Sequence, residues 1–203
     1  MSTLMTKISA DMVRSLRDQT GAGMMDCKRA LEESGGDMDK ASEILRKKGI
    51  AKAEKRAGKV ASQGLVVSYL HHNGQVGSLV ELNCETDFVA RTEDFQQLAR
   101  DIALHVASAD PIAVNPEDVP AELIERERRI AEEQVAQEGK PENIRSKIVD
   151  GKVKKFVAER TLTEQLFVRD DKKTVGQLIK EASGKLGEVI SVRRFARFKI
   201  GEV

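Results

Sequence analysis

Apolar residues in the first part of the chain recur at helical spacing. Met12, Val13 and Leu16 share one face behind Ser9, which can cap a helix there. Thr20-Gly21-Ala22-Gly23 breaks that pattern. A second helix is predicted from Met24 to Ser34, with Cys27, Ala30 and Leu31 inward and Gly35-Gly36 ending it. Asp37 caps a third, whose stripe is Met38, Ala41, Ile44 and Leu45; Lys47 and Lys48 suit its C-terminal dipole, and Gly49 stops it. The Ala- and Lys-rich run from Ile50 to Ala61 has high helix propensity but a weak apolar face, and reads as a helical linker.

At Gly64 the period changes to two. Leu65 to Leu70 reads as a strand, Asn73-Gly74 as a type I′ hairpin turn, and Gln75 to Cys84 as the return strand. Val76, Ser78, Val80, Leu82 and Cys84 fall on one face of that strand. Thr92 caps a helix with Phe95, Leu98, Ile102 and Val106 inward, which Asp110-Pro111 ends. Two amphipathic helices follow, from Pro120 to Gln137 and from Pro141 to Arg160, joined at Gly139-Lys140-Pro141 as an antiparallel hairpin. Their inner positions are Leu123, Ile124, Ile130, Ala131 and Val135 on one and Ile144, Ile148, Val149, Val153 and Phe156 on the other. Thr161 to Lys173 reads as irregular, Thr174 begins a helix, and Gly187 to Ile200 alternates as a strand with Ile190, Val192, Ala196, Phe198 and Ile200 on one face. The fold class is α+β. The division is a three-helix domain over 1–49, a helical linker over 50–63, and an α+β core over 64–203 with a small antiparallel sheet and a helical hairpin at 117–160.

Composition sharpens this picture. A chain of 203 residues with 33% charged and 40% hydrophobic residues can bury a core of its own, in one or two domains. Only 3% are aromatic, so the core rests on aliphatic side chains, which suits helices better than sandwiches or barrels. The formal net charge is +1, so no global basic field draws nucleic acid. No apolar leader or membrane-length run is visible, and two cysteines without a secretory signal read as thiols in a reducing compartment. The expectation is a soluble cytoplasmic protein without a membrane role.

Catalytic chemistry is not legible. Gly21-Ala22-Gly23 follows a helix rather than a strand and lacks the third glycine of a dinucleotide fingerprint, so it reads as a helix–helix turn. His71-His72 has no third ligand nearby in sequence, and His105 has no partnered nucleophile or acid. Cys27 and Cys84 follow apolar faces and read as small buried hydrophobes, although sequence does not say whether either bridges to another chain. Lys52, Lys55, Arg56 and Lys59 form one basic patch. Arg193, Arg194, Arg197 and Lys199 form another, interleaved with Phe195 and Phe198; this leaves open a ribosome- or RNA-binding module. No metal or other cofactor is expected. Two segments do not fit the periodicity. Thr86-Asp87-Phe88-Val89 puts an aromatic on a tip between a strand and a helix cap, and Met24-Met25 opens a helix with neighbours about 100° apart, so at least one is exposed. Both suit contact with another protein, and both also admit local packing.

Those segments lie in longer motifs. Leu16 to Leu31, containing Thr20-Gly21-Ala22-Gly23-Met24-Met25-Asp26-Cys27-Lys28, resembles the first signature of the elongation factor Ts family. Glu81-Leu82-Asn83-Cys84-Glu85-Thr86-Asp87-Phe88-Val89-Ala90-Arg91 resembles the second. Gly139-Lys140-Pro141 and Lys173-Thr174-Val175-Gly176-Gln177-Leu178 match the C-terminal half, so the resemblance runs from about Lys7 to Ile200. It implies an N-terminal domain like ubiquitin-associated domains, a core that serves dimerisation, and guanine nucleotide exchange on the translational GTPase elongation factor Tu. It implies that Arg14, Arg17, Met24 and Met25 grip the GTPase's nucleotide-binding domain. It implies also that the turn carrying Asp87 and Phe88 inserts beside helices that support the bound magnesium, with Thr86 to Val89 as the magnesium-displacing segment. An exchange factor makes and breaks no bond, so it is not an enzyme and binds no nucleotide itself. Longer members carry two related core subdomains. This chain has length for one, and short members can pair as homodimers. Translation from Met5 instead of Met1 stays open.

Overall fold

The computed structural model describes residues 8–55, 58–139 and 141–202. Side chains are described there except at 52–55, so the basic groups of Lys52, Lys55 and Arg56, the residue Lys140, and both candidate start methionines lie outside the described residues. In chain order the elements are α1 (Ala10–Thr20), α2 (Met24–Glu33), α3 (Met38–Lys55), β1 (Gln63–Leu70) and β2 (Val76–Cys84). Then come α4 (Asp87–Ala90), α5 (Glu93–Ala109), α6 (Ala121–Gln137) and α7 (Glu142–Arg160). The chain ends with β3 (Leu166–Phe167), β4 (Asp170–Thr174), α8 (Val175–Leu186) and β5 (Ser191–Lys199). These elements fall into two compact units. One gathers Met1–Gly64, Asn83–Gln96 and Ile179–Ser191; the other gathers Leu65–Leu82, Gln97–Leu178 and Val192–Val203.

In the first unit the three N-terminal helices form where periodicity puts them. Ser9 Oγ accepts from the Met12 N–H at 3.2 Å, a cap that stabilises α1 by about 1 kcal/mol. The α1–α2 turn closes with Gly21 N–H donating to the Arg17 carbonyl at 2.7 Å, and Gly23 stands at the N-cap of α2. Val13, Leu16, Cys27, Ala30, Leu31, Ala41 and Leu45 form the buried cluster of this bundle. One boundary differs from expectation. Gly49 does not stop α3, which runs on to Lys55. An interior glycine costs a helix only about 1 kcal/mol, and the Ala- and Lys-rich residues after it favour the helical state. Gly49 has a packing role instead. A Cβ on Gly184 of α8 would stand 2.6 Å from the Gly49 carbonyl carbon, so the two helix backbones touch.

In the second unit the sheet order is β1-β2-β5. Burial along β2 alternates as the sequence requires, with Ser78, Val80 and Leu82 inward, and Ser78 Oγ donates to the Ala103 carbonyl of α5 at 2.7 Å. Ile200 N–H donates to the Gln75 carbonyl at 3.0 Å while Arg194 pairs with Glu81, so β5 runs antiparallel to β2. The β1–β2 turn is not type I′, which needs positive φ at both central residues. Among the described residues only Gly74, at φ 69°, is left-handed in this loop. The chain turns through residues 72–75. Gly74 N–H donates to the His71 carbonyl, and Asn73 Oδ1 accepts from Gln75 N–H, an Asx-turn that closes the loop.

Helices α6 and α7 pack as the expected hairpin on Ala131, Val135, Val149 and Val153. Ile130 and Ile144, expected inward, are exposed because the seam is narrow and takes small side chains at its centre. The stretch from Thr161 to Lys173 is not irregular: β3 and β4 pair antiparallel, with Leu166 opposite Thr174. Asp170-Asp171-Lys172-Lys173 has no apolar alternation, so periodicity could not reveal it. Thr174 and Gln177 form a reciprocal cap on α8, Gln177 N–H to Thr174 Oγ1 at 3.2 Å and Thr174 N–H to Gln177 Oε1 at 3.0 Å. Along β5 the expected face holds only at its start. Ile190 and Val192 are buried, but Ala196, Phe198 and Ile200 are exposed. The inward side passes to Phe195 and Arg197, whose guanidinium donates to the Ala107 carbonyl at 3.1 Å.

Candidate functional site

The segment after β2 is built to present one ring. Cys84, the last residue of β2, is buried, and its thiol donates to the Thr86 carbonyl. Burial, and after it the Glu188 carboxylate, push that thiol up, so it stays protonated and inert. Thr86 then adopts an extended backbone and caps the four-residue helix α4, its Oγ1 accepting from Val89 N–H at 3.4 Å. Asp87 sits in the first turn of α4, where a negative charge is favoured, and pairs with Arg91 at 2.8 Å. Thr92 caps α5 directly afterwards, accepting from Phe95 N–H at 3.3 Å. Phe95 is fully buried, whereas Phe88 is 78% exposed. With so few rings in the chain, an exposed Phe on a doubly capped turn is not there for the core.

A second segment holds this turn from behind. Glu188, in the loop after α8, accepts from the backbone N–H groups of Glu85 (3.1 Å) and Thr86 (3.0 Å) and from the Thr86 hydroxyl (2.6 Å). Glu85 answers: its carboxylate accepts from Val189 N–H at 2.9 Å and pairs with Lys59 at 3.4 Å. The hydroxyl of Ser183 donates to the Glu188 carbonyl. One turn earlier Lys185 lays its aliphatic stem over Gly21 and puts its ammonium 2.9 Å from Asp94. So the end of α8 touches both the α1–α2 turn and the α4–α5 segment, which lie far apart in sequence.

The other candidates are also on this unit's surface. Met24 and Met25 open α2 and are both exposed, so the expectation that at least one would be is met twice over. Arg14 and Arg17 are exposed on α1, beside the buried Val13 and Leu16. Periodicity flagged Phe88 and the methionines as misfits, but it gave no hint of Glu85, Lys185 or Glu188. Those three act through contacts made across the chain, and a lone Glu after a helix carries no local signature.

Elsewhere among the described residues no buried side-chain N or O atom lacks a hydrogen-bond partner. His105 is fully buried: its Nδ1 accepts from Val168 N–H at 3.3 Å, which leaves the proton on Nε2, donated to Gln165 Oε1 at 2.9 Å. Cys27 is buried as expected. Among the described residues no group of three or more His, Cys, Asp or Glu converges as a metal site would. In the C-terminal basic patch, Arg194 pairs with Glu81 at 2.7 Å, Arg197 with Asp110 at 3.1 Å, and Lys199 with Glu202 at 2.8 Å. Those carboxylates neutralise much of the field that a nucleic acid would need. No described helix is long and apolar enough to cross a membrane.

Comparison with known proteins bears on the same segments. The family model described as Elongation factor TS matches residues 27–202, which takes in Thr86 to Val89, Glu188 and the whole sheet. A protein of Syntrophomonas wolfei named Elongation factor Ts is 55% identical over 195 residues, 96% of this chain and 91% of that one. Proteins of the same name from Thermosipho melanesiensis and Coprothermobacter proteolyticus are each 55% identical, over 96% and 97% of this chain and 100% of their own length. Both long motifs read from the sequence therefore have their counterpart in a match over nearly the whole chain, and the chain belongs to the elongation factor Ts family.

Proposed function

We propose that this protein is a guanine nucleotide exchange factor for the translational GTPase elongation factor Tu, acting in translation elongation. The observation that carries the reading is Phe88, an exposed ring on a short capped helix inside the family's second signature. GDP is held in such a GTPase by backbone N–H groups and by a magnesium ion bridging its phosphate. A ring inserted beside the helices that support the ion shifts them and loosens the site without touching nucleotide. Thr86 to Val89 is the magnesium-displacing segment, and Asp87 and Phe88 make the contact. Arg14, Arg17, Met24 and Met25 grip the nucleotide-binding domain from the three-helix domain of residues 1–49, of the ubiquitin-associated kind. Methionine suits that grip because its flexible thioether adapts to a partner surface.

The protein is then not an enzyme and binds no nucleotide itself. Coupling is reciprocal: if the factor lowers GDP affinity by a given ratio, GDP lowers the factor's affinity by the same ratio. GTP in excess completes the cycle. The test is release of fluorescent GDP from the GTPase. Acceleration that depends on factor concentration is expected, and its absence ends the proposal. Pull-down of the GTPase should be strong without GDP and weak with it.

The working form is a homodimer in the cytoplasm, built on the core of residues 64–203. What favours the dimer is the open face of the sheet, where Val66, Leu70, Leu79, Phe198 and Ile200 are all exposed. An apolar patch of that kind on a soluble protein marks an interface. RNA binding through the C-terminal strand is disfavoured by the carboxylate partners of Arg194, Arg197 and Lys199.

A further inference from the structure

The geometry points to Glu188 as a positioning residue for nucleotide exchange, one that sets the Phe88 turn from outside both signatures. This rests on the reading that Phe88 is the working residue. Helix α4 has four residues, too few to be stable by itself, because nucleating one helical turn is unfavourable. Something must hold its N-terminal approach, and Glu188 does so. A single carboxylate takes the two successive N–H groups of Glu85 and Thr86 and the Thr86 hydroxyl, and that hydroxyl in turn caps α4 through Val89 N–H. Hydrogen bonds from backbone N–H to an ionised carboxylate are the stronger kind. Glu85 returns a bond to Val189 N–H, so each glutamate's carboxylate accepts from the other segment's backbone and the two segments are tied by bonds in both directions.

The consequence for exchange is a matter of preorganisation. Because the grip by Arg14, Arg17, Met24 and Met25 supplies the binding, the wedge works in proportion to the fraction of bound factor that holds it in the working pose, and the maximal rate falls with that fraction. Glu188→Ala leaves three donors without their acceptor and lets the turn sample other poses. Glu188→Gln keeps the clasp: its carbonyl oxygen can take both N–H groups, and its amide can donate to the Thr86 hydroxyl oxygen. Glu188 is therefore predicted to matter for shape more than for charge.

The experiment compares the full-length protein with Phe88→Ala, Glu188→Ala, Glu188→Gln and the Phe88→Ala/Glu188→Ala double variant. Two quantities are read from fluorescent GDP release: the maximal rate at saturating factor and the half-saturating concentration. Thermal unfolding of each variant is followed in parallel. Glu188→Ala should lower the maximal rate about tenfold, or about 1.4 kcal/mol in the barrier, with the half-saturating concentration changed less than about threefold. Glu188→Gln should recover to within about threefold of the parent. The double variant should be no slower than Phe88→Ala alone, because Glu188 acts through that ring. If Glu188→Ala keeps the parent rate where Phe88→Ala is slow, the positioning role is wrong and the wedge reading stands. Losses that multiply in the double variant, or that track a fall in unfolding temperature, make Glu188 a general structural residue and also overturn it. A parent-like rate for Phe88→Ala removes the wedge reading, and the positioning role with it.

Discussion

Phe88 and His105 show two opposite uses of a ring-bearing side chain. Phe88 is exposed, so its loss should leave stability within about 0.5 kcal/mol of the parent. Exchange should fall at least about tenfold in Phe88→Ala. Equal losses in stability and exchange, measured by urea unfolding and fluorescent GDP release, would make Phe88 a core residue instead. His105 is the reverse. Burial lowers its folded pKa below the ordinary value near 6.5, even though the Gln165 bond acts the other way. The unfolded chain therefore takes the proton first as pH falls. The stability from a neutral His105 is full above about pH 6.5 and is lost below it, by at most about 1.4 kcal/mol per pH unit. Protonation also puts a hydrogen on Nδ1, where Val168 N–H now donates. Urea midpoints at pH 7.5 and 5.5 should fall in the parent and change less in His105→Gln; parallel slopes would assign the effect elsewhere.

At the scale of elements, the crossing of α3 and α8 sets the first unit. Gly49 and Gly184 are both helical, and each would gain roughly 1 kcal/mol of helix propensity as alanine. Their surroundings differ. A Cβ on Gly184 meets Gly49 backbone atoms at 2.6 to 2.8 Å, while a Cβ on Gly49 meets its nearest neighbour at 3.4 Å. Gly184→Ala should therefore destabilise by about 1–3 kcal/mol through forced separation of two backbones, and Gly49→Ala should be neutral or slightly stabilising. Thermal unfolding of both variants checks the asymmetry. Because Lys185 follows Gly184 and Glu188 stands four residues after it, Gly184→Ala should also slow GDP release, whereas Gly49→Ala should not.

For the whole molecule, the decisive prediction concerns the open sheet face. Phe198 is 71% exposed on β5, and its neighbours on that face are Leu79 and Ile200. Light scattering at micromolar concentration should give a dimer mass for the parent and a monomer mass for Phe198→Asp. The unfolding temperature of Phe198→Asp, taken at the same protein concentration, should fall only by what dimerisation contributes. A clean monomer mass for the parent would remove the dimer from the proposal.

Local patterns read from sequence carried most of the elements. The inner faces of α1, α2, α5 and β2, the caps at Ser9 and Thr92, and the burial of both cysteines follow from period and capping chemistry, which are decided within a few residues. The misfits at Phe88 and Met24-Met25 were legible for the same reason, since a residue that fails the local period stands out. Non-local contacts decided the rest. Gly49 looked like a stop because sequence does not show Gly184 beside it. Phe198 looked inward because the side of β5 that faces the core changes between Val192 and Phe195. The β3–β4 pair was hidden because β3 has only two residues, Leu166 and Phe167, too few to show a period, and β4 carries charge rather than alternation. Glu188 was invisible because its acceptor role exists only once the chain brings it to Glu85 and Thr86. Sequence alone therefore marked Phe88 as the ring that fails the local period, because period is decided within a few residues, and the tertiary structure decided that it is exposed and what holds its turn in place.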